Sequence, residues 1–373
     1  MRIEIIHIGN VLLCPPVINL MNMLEDLKIE TELITTKSDF NDNGFSYVSV
    51  IELSFNYESD RRIIKKLTNL QKIKKKLWAI LDKHGNDDTI IWITSNIDLK
   101  HLGNKITERN YILQMMELSE NLRYHKKFPI ELDAHRIGEC AKAVVVPEYT
   151  RAHIVKAWWN LSKTPLVLSN KPYANVSYER NETIHSEVAA NIIDKIQNKK
   201  IILYQGIIHK ERPLDKYIEA VDLLGDDYAF VVMSGGEDIY KNIKSSNYYF
   251  VPYVKAPHHL EITSHAFIGV LSYFPTPSSD YSILNAVFCA PNKTYEYAMF
   301  GIPMIGNDNP GLNNIFSQFN CGICIKDFNA ENIARAIKNI EERYDEMKVG
   351  AKRYYDSTDT LEELQKILSV VGG

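Results

Sequence analysis

Residues 291 to 305 read Pro-Asn-Lys-Thr-Tyr-Glu-Tyr-Ala-Met-Phe-Gly-Ile-Pro-Met-Ile. The stretch predicts a short helix that ends at Gly301 and is followed at once by an apolar strand. Lys293 and Glu296 share one face of that helix, and the free N–H groups at a helix start are suited to phosphate. A cation for phosphate oxygens beside a carboxylate for ribose hydroxyls fits a nucleoside diphosphate. A surface salt bridge on an ordinary αβ unit is the alternative.

Residues 201 to 220 form a second informative stretch and read Ile-Ile-Leu-Tyr-Gln-Gly-Ile-Ile-His-Lys-Glu-Arg-Pro-Leu-Asp-Lys-Tyr-Ile-Glu-Ala. The pattern predicts an apolar strand, a loop that starts at Gly206, and a helix. A glycine at this place lets the backbone approach a phosphate closely, although an ordinary turn glycine has the same pattern. The guanidinium of Arg212 offers a two-pronged contact to phosphate oxygens.

Together the two stretches, about eighty residues apart, resemble two motifs that family 4 glycosyltransferases of the GT-B fold carry in the same order. The resemblance implies two Rossmann-like, doubly wound α/β domains facing across a cleft, with a C-terminal helix that crosses back to the first domain. It implies catalytic roles for Arg212 and Lys293 at the donor diphosphate, a ribose contact for Glu296, and donor binding at Gly206. It also implies retaining transfer from a UDP or GDP sugar to a glycan or lipid-linked acceptor, as in bacterial surface polysaccharide synthesis, with no cofactor.

The sequence departs from the family pattern at two positions. Ile207 stands where the family often has Arg, and Phe288 stands where it often has Glu. The segment before Pro291 resembles a variant of the family instead, which implies that three polar residues serve the donor sugar: Tyr281, Ser282 and Asn285. For Asn285, a solvent-facing loop asparagine is the alternative. Tyr253 corresponds to the place where this fold holds the base, and a packed core tyrosine is the alternative.

Acceptor-side residues are expected in the first half of the chain. Gly9 and Asn10 follow the first predicted strand, in the position of the family's acceptor-side loop, although any strand-to-helix turn has a similar pattern. Residues 115 to 118, Met-Met-Glu-Leu, resemble the family's His-Glu-Leu stretch with Met116 in place of histidine. The resemblance implies a catalytic role for Glu117, and a helix-surface carboxylate is the alternative.

Composition and charge restrict the class of protein. The chain has 373 residues, 45% of them hydrophobic, and a net charge of −4, so we expect a two-domain globular protein and no nucleic-acid binding. Five cysteines are a sparse, odd set, typical of a reducing compartment, which predicts a cytoplasmic location. No apolar run approaches the roughly 20 residues of a membrane-spanning helix.

Apolar runs and amphipathic stretches alternate in two series, which predicts parallel sheets with crossover helices. The first series predicts an acceptor-binding domain over residues 1–175, and the second predicts a nucleotide-sugar-binding domain over 190–355. The linker is expected within 170–183, and a crossover helix is expected over 356–373. In the first domain, helices are predicted near residues 16–27, 60–83, 108–118 and 150–160.

Two further patterns concern metals and membranes. The chain contains no Asp-x-Asp, so no metal is expected at the diphosphate, and Cys321 and Cys324 lie in a predicted strand that directs them to opposite faces. Residues 61–78 carry eight basic residues, no acids and an apolar stripe at helical spacing. They predict either a helix that lies on an anionic membrane surface, with a peripheral location, or a solvated basic face over a core stripe.

Two other functions stay open on the sequence alone. One is a sugar-nucleotide 2-epimerase of similar fold, and the other is a non-catalytic GT-B subunit that supports a partner transferase. Ile207, Phe288 and Met116 are the residues that favour the second. The donor sugar, the base, the acceptor and the oligomeric state are not determined by these patterns.

Overall fold

The computed structural model describes residues 1–37, 44–53, 63–84, 88–96, 98–125, 128–173, 184–196, 198–252, 254–277 and 281–372. The chain divides into two compact units. Unit 1 comprises Met1–Ala174, Ser278–Ser282 and Asp359–Gly373, and unit 2 comprises Asn175–Pro277 and Ile283–Thr358. The predicted linker lies for the most part outside the described residues.

The strands are, in chain order, β1 Arg2–Asn10, β2 Thr31–Lys37, β3 Val48–Glu52, β4 Thr89–Ile93, β5 Tyr111–Gln114, β6 Leu122–His125, β7 Phe128–Leu132, β8 Ala143–Val146, β9 Leu166–Val167, β10 Lys200–Gln205, β11 Tyr228–Ser234, β12 Tyr248–Pro252, β13 Ile268–Leu271, β14 Met304–Asn307 and β15 Gly322–Ile325. The helices are α1 Pro15–Asp26, α2 Ile63–His84, α3 Leu99–Leu102, α4 Ala134–Cys140, α5 Tyr149–Trp159, α6 Glu187–Ile196, α7 Asp215–Leu224, α8 His259–Thr263, α9 Leu284–Val287, α10 Asn292–Met299, α11 Pro310–Phe319, α12 Ala330–Glu342, α13 Tyr344–Asp356 and α14 Thr360–Gly372.

Unit 1 is built on a seven-stranded parallel sheet with the order β3-β2-β1-β4-β5-β8-β9. Every residue of β4 and β8 is buried, as expected for strands that helices cover on both faces. The hydrophobic cluster on one face joins β1 to α1 and also contains four residues of α14: Leu364, Ile367, Leu368 and Val371. Two hydrogen bonds also hold α14 in unit 1, since the N–H and the hydroxyl of Ser169 donate to Glu363 at 2.7 and 2.9 Å.

The predicted crossover of the C-terminal helix is therefore confirmed. Although α13 belongs to unit 2, the next helix buries its apolar face in the core of unit 1. Among the described residues, no helix is both long enough and apolar enough to span a membrane.

Unit 2 contains a six-stranded parallel sheet with the order β12-β11-β10-β13-β14-β15. Two hydrophobic clusters cover its two faces, and all seven residues of β11 are buried. Both sheets thus have the doubly wound arrangement that the sequence predicts, and the α/β fold class is confirmed.

One predicted helix of unit 1 is wrong. The segment 108–118 contains β5, which lies between β4 and β8 and is buried throughout. Tyr111, Ile112 and Leu113 form a continuous apolar run without a polar face, and such a run suits a central parallel strand better than an amphipathic helix. The next helix of unit 1, α4, begins at Ala134 because Asp133 caps it by accepting the N–H of Arg136 at 2.9 Å.

Candidate functional site

The candidate donor site of unit 2 lies where the strand order of its sheet reverses. β10 and β13 are neighbours, yet the chain extends from β10 towards β11 and from β13 towards β14, so their carboxyl ends flank a switch point where ligands bind in open α/β sheets. The loop after β13 is held by Asn307, which accepts the N–H of Tyr273 and donates to its carbonyl, both at 2.7 Å. Gly206 begins the loop after β10 with φ of 122°, a conformation that favours glycine.

Lys293 is the central residue of this site. It is the second residue of α10 and only 7% exposed, and its Nζ lies 4.0 Å from the ring centroid of Tyr204 and 5.5 Å from that of Tyr273. No oxygen or nitrogen of the described residues accepts a hydrogen bond from this Nζ. Burial, and next the nearby charge of Arg212, hold the pKa of Lys293 well below its usual value. Two aromatic faces are thus its main compensation for lost water.

Arg212 brings a second cation to the same aromatic ring. Its Cζ lies 5.2 Å from the ring centroid of Tyr273, its Nη1 donates to the carbonyl of Ile207 at 3.5 Å, and its Nε is buried without a partner among the described residues. A Cβ added to Gly206 would lie 3.5 Å from Nζ of Lys293. The buried ammonium of Lys293, the half-buried guanidinium of Arg212 and a backbone without a side chain therefore surround one point. This arrangement suits an anion, since a partly desolvated cation gains most from a charged acceptor.

Glu296 lies one turn further along α10 and is fixed by its neighbours. Its carboxylate accepts a hydrogen bond from the amide of Gln205, and Nε2 of His259 lies 3.5 Å away. Thr263 in turn donates to the amide oxygen of Gln205 at 2.7 Å. Burial by itself would raise the pKa of Glu296, but its contacts with His259, Gln205 and Lys293 together lower it. The carboxylate is thus ionised and oriented, ready to accept hydrogen bonds from hydroxyl groups.

Lys293 and Glu296 do not form the surface salt bridge that was the alternative reading of their spacing. No ion pair joins them within the part of the chain that the structure describes, and both side chains are largely buried. The cation instead faces two aromatic rings and the carboxylate faces an amide and an imidazole.

The predicted acceptor-side residues lie in unit 1. Gly9 and Asn10 are the last residues of β1, and Asn10 accepts the N–H of Leu12 at 3.0 Å and so caps a short 3-10 turn. Glu117 is an exposed residue of the loop after β5, so the expectation of a helix surface is wrong for it. Met116, the departure from His-Glu-Leu, lies in the same loop and its sulfur is 3.6 Å from Sγ of Cys14.

A polar network at the carboxyl ends of β1 and β4 was missed by the sequence analysis. Nδ1 of His7 lies 2.8 Å from the hydroxyl of Thr94, and that hydroxyl lies 2.9 Å from the carbonyl of Ile6 and 3.2 Å from Asp98. Because the hydroxyl has one proton and donates it to one of these oxygens, it accepts from Nδ1–H of His7. Nε2 of His7 then carries a lone pair and accepts hydrogen bonds. Asp98 is buried and takes a further hydrogen bond from Ile8 N–H at 3.0 Å.

The remaining predicted donor residues are distributed between the two units. Tyr281 and Ser282 belong to unit 1, where Ser282 N–H donates to the carbonyl of Leu118 at 2.7 Å. Asn285 lies in α9 of unit 2. Tyr253 lies outside the described residues. Within unit 2 the structure therefore brings together Gly206, Arg212, Lys293 and Glu296 around one point.

Comparisons with known proteins agree on the fold. No protein-family model and no curated protein sequence matches this chain. Among solved structures, HepE of Anabaena in complex with UDP and glucose is similar with a TM-score of 0.68 and 10% identity over 100% of both chains. A glycosyltransferase from Rickettsia africae has a TM-score of 0.68 with 14% identity over 99% of this chain and 98% of its own. WaaG, a glycosyltransferase involved in lipopolysaccharide biosynthesis, has a TM-score of 0.61 with 12% identity over 100% of both.

These likenesses confirm the predicted GT-B fold. At identities this low they concern the fold alone, so membership of family 4 stays a prediction. What the chain does must be argued from the residues at the candidate site.

Proposed function

We propose that this chain is a glycosyltransferase that takes its sugar from a nucleotide-diphosphate donor. The observation that carries the proposal is the buried ammonium of Lys293, which has no hydrogen-bond acceptor among the described residues and lies beside Arg212. A buried charged group without a hydrogen-bond partner is rare in proteins, and a bound ligand can supply the missing acceptor. A diphosphate supplies the missing negative charge, and the Glu296 carboxylate on the same helix face suits the ribose hydroxyls.

The proposed chemistry assigns charge stabilisation to the two cations. The acceptor hydroxyl attacks the anomeric carbon, the bond from that carbon to the diphosphate oxygen breaks, and the leaving phosphate takes the acceptor proton. Lys293 and Arg212 stabilise the charge that grows on the diphosphate. Because these cations serve as electrophiles, the proposed reaction uses no metal, and attack on the same face as the departing group retains the anomeric configuration.

UDP is the donor nucleotide we favour, with GDP as the alternative. Similar folds have been solved as HepE with UDP-glucose and as S. aureus MnaA with UDP. For the acceptor we propose a glycan or a lipid-linked sugar of bacterial surface polysaccharide synthesis, held in unit 1. There Nε2 of His7, oriented by Thr94, offers a hydrogen-bond acceptor for a sugar hydroxyl.

We propose a cytoplasmic location at the membrane surface, where the acceptor would be membrane-bound, and the basic helix α2 is the element that would contact that surface. Its apolar stripe is part of the protein core, since Leu70, Ile73 and Leu77 are buried, whereas Lys72 and Lys75 are exposed. Residues 61–62 lie outside the described residues. We propose that any attraction of this helix to an anionic surface is electrostatic and involves no insertion of the apolar stripe.

Incubation with a panel of UDP- and GDP-sugars tests the proposal. We expect slow hydrolysis of one donor without acceptor, because water replaces the acceptor hydroxyl, and we expect Arg212→Ala to lower that rate. Lys216→Ala is the control, since Lys216 is half-buried on α7 and paired with Glu219 at 2.7 Å. Formation of an epimeric nucleotide sugar would identify an epimerase instead. Absence of binding to every donor would identify a non-catalytic subunit.

A further inference from the structure

A cluster of two imidazoles and one carboxylate lies in unit 2 on residues to which the donor site assigns no role. Nδ1 of His185 and Nδ1 of His258 lie 3.2 and 2.8 Å from the same carboxylate oxygen, Oε1 of Glu261. The three ligand atoms all lie within 4.8 Å of one another. His185 precedes α6 by two residues, and Glu261 belongs to α8. The cluster therefore joins two segments that are more than seventy residues apart in sequence.

The carboxylate is held in place before any ligand arrives. Glu261 is 3% exposed, and its second oxygen, Oε2, accepts the backbone N–H groups of His185 and Ser186 at 3.1 and 3.0 Å. Burial alone would raise the pKa of Glu261, but these hydrogen bonds, with those of the two imidazoles, hold it at about 2. A fixed, ionised carboxylate whose other oxygen faces two imidazole nitrogens is an oriented ligand of the kind that metal sites use.

The two oxygen-to-nitrogen distances are close to those of a zinc site. Zinc binds histidine nitrogen and carboxylate oxygen at about 2.0–2.2 Å, so neighbouring ligand atoms of a tetrahedral centre lie roughly 3.3 Å apart. The observed oxygen-to-nitrogen separations require adjustments of a few tenths of an ångström, and the imidazoles are free to turn because their side chains are 65% and 46% exposed. Two histidines with one carboxylate are a donor set that zinc takes in proteins, with water at the remaining position.

We propose that His185, His258 and Glu261 form a binding site for a divalent transition metal, with Zn²⁺ as the cation that best suits the donor set. Each imidazole gives up its Nδ1–H contact with the carboxylate and coordinates the metal through Nδ1, while Oε2 keeps the backbone hydrogen bonds. The metal then fastens the segment that enters α6 to α8. α8 also supplies His259, which contacts Glu296, and Thr263, which donates to Gln205. The bound cation therefore stabilises the helix that holds the Glu296 carboxylate of the donor site in place.

Zinc binding to the full chain tests the proposal without any sugar nucleotide. The metal-free protein is titrated with ZnCl₂ against a chromophoric zinc chelator, and its melting temperature is followed at each concentration. We expect one high-affinity Zn²⁺ per chain and a melting temperature that rises with zinc concentration, because a ligand of the folded state stabilises it by mass action. His185→Gln and His258→Gln should each weaken the binding at least about tenfold.

His209→Gln is the matched control. His209 is exposed and lies 3.0 Å from Glu211. Within the described residues no second imidazole completes a ligand group with this pair, so its loss should leave the tight site intact. Both substituted histidines of the cluster are exposed, and a melting temperature measured with EDTA establishes that the variants fold. Wild-type zinc affinity in His185→Gln and His258→Gln, or no stoichiometric binding by the wild type, would overturn the proposal. Neither result bears on donor hydrolysis, which is measured with EDTA present.

Discussion

Replacement of Lys293 by Met should have opposite effects on the stability of the free protein and on nucleotide binding. Methionine has a similar length and no charge, so it fills the space between Tyr204 and Tyr273 without an unsatisfied donor. In the ligand-free protein the ammonium has no hydrogen-bond partner among the described residues. Its removal relieves a cost of about 1–3 kcal/mol for a buried polar group left unpaired. The melting temperature of Lys293→Met should therefore rise by about 2–12 °C, at about 2–4 °C per kcal/mol.

Binding of UDP should change in the other direction. A charge-assisted contact in a closed site contributes about 2–4 kcal/mol, so Lys293→Met should weaken UDP binding by about 30-fold to 1,000-fold. Titration calorimetry gives the affinity, and thermal unfolding with and without UDP gives both melting temperatures. Lys195→Met is the control because Lys195 is exposed on α6. A variant that is less stable than wild type without ligand and binds UDP equally well would refute this account of the site.

The pH dependence of stability follows from the lowered pKa of Lys293. Burial and the charge of Arg212 lower that pKa below its usual 10.5, against the opposing effects of Glu296 and Cys289. The unfolded chain therefore binds more protons here than the folded protein, and this contribution to the free energy of unfolding rises with pH until the usual value is passed. We expect the stability advantage of Lys293→Met to shrink as the pH is raised from 7 towards 10. An advantage that stays constant over this range would contradict the assignment.

Three other predictions concern the donor site and the basic helix. Gly206→Ala should weaken UDP binding more than tenfold because its Cβ would approach Lys293. The control, Gly225→Ala, has φ of 88° and, among the described residues, no atom within 4 Å of the added Cβ, so it should lower only stability, by about 1–2 kcal/mol. Equal UDP affinities of the two variants in calorimetry would count against the prediction. Glu296→Ala should raise the KM for the donor with little change in kcat, since the ribose changes little during reaction, and a fall in kcat alone would reassign the residue. Co-sedimentation with anionic vesicles should be abolished at 0.5 M salt, where the Debye screening length is about 4 Å. It should also be lost when Lys72, Lys74, Lys75 and Lys76 are replaced by Gln. Unchanged co-sedimentation of that variant would mean that the helix presents an ordinary solvated face.

The two parallel sheets could be predicted from the sequence because their signal is local. A buried strand shows as a short apolar run, a covering helix shows as a stripe, and both patterns involve residues that are contiguous in the chain. The exception is Tyr111–Gln114, which was predicted to be helical and forms strand β5. A short apolar run suits a buried strand or a buried helix equally well, and only the position of β5 between β4 and β8 decides between them.

In the candidate site too, one part could be predicted from the sequence and another part depends on packing. The spacing of Lys293 and Glu296 on one helix face is a property of α10, and it could be read directly from the chain. The surroundings of those two residues come from other segments: β10 supplies Gln205, α8 supplies His259, and the loop after β13 supplies Tyr273.

By itself, the sequence determined the α/β class, the two series of strands and the face that carries the cation and the carboxylate. Only the tertiary structure decided that the cation is buried without a hydrogen-bond acceptor among the described residues, and that the carboxylate is held by an amide and an imidazole. It also decided that the apolar stripe of the basic helix belongs to the core, and that His185 and His258 meet at Glu261. The physical reason is that burial and hydrogen-bond pairing depend on which distant segments pack together, and local periodicity carries no information about that.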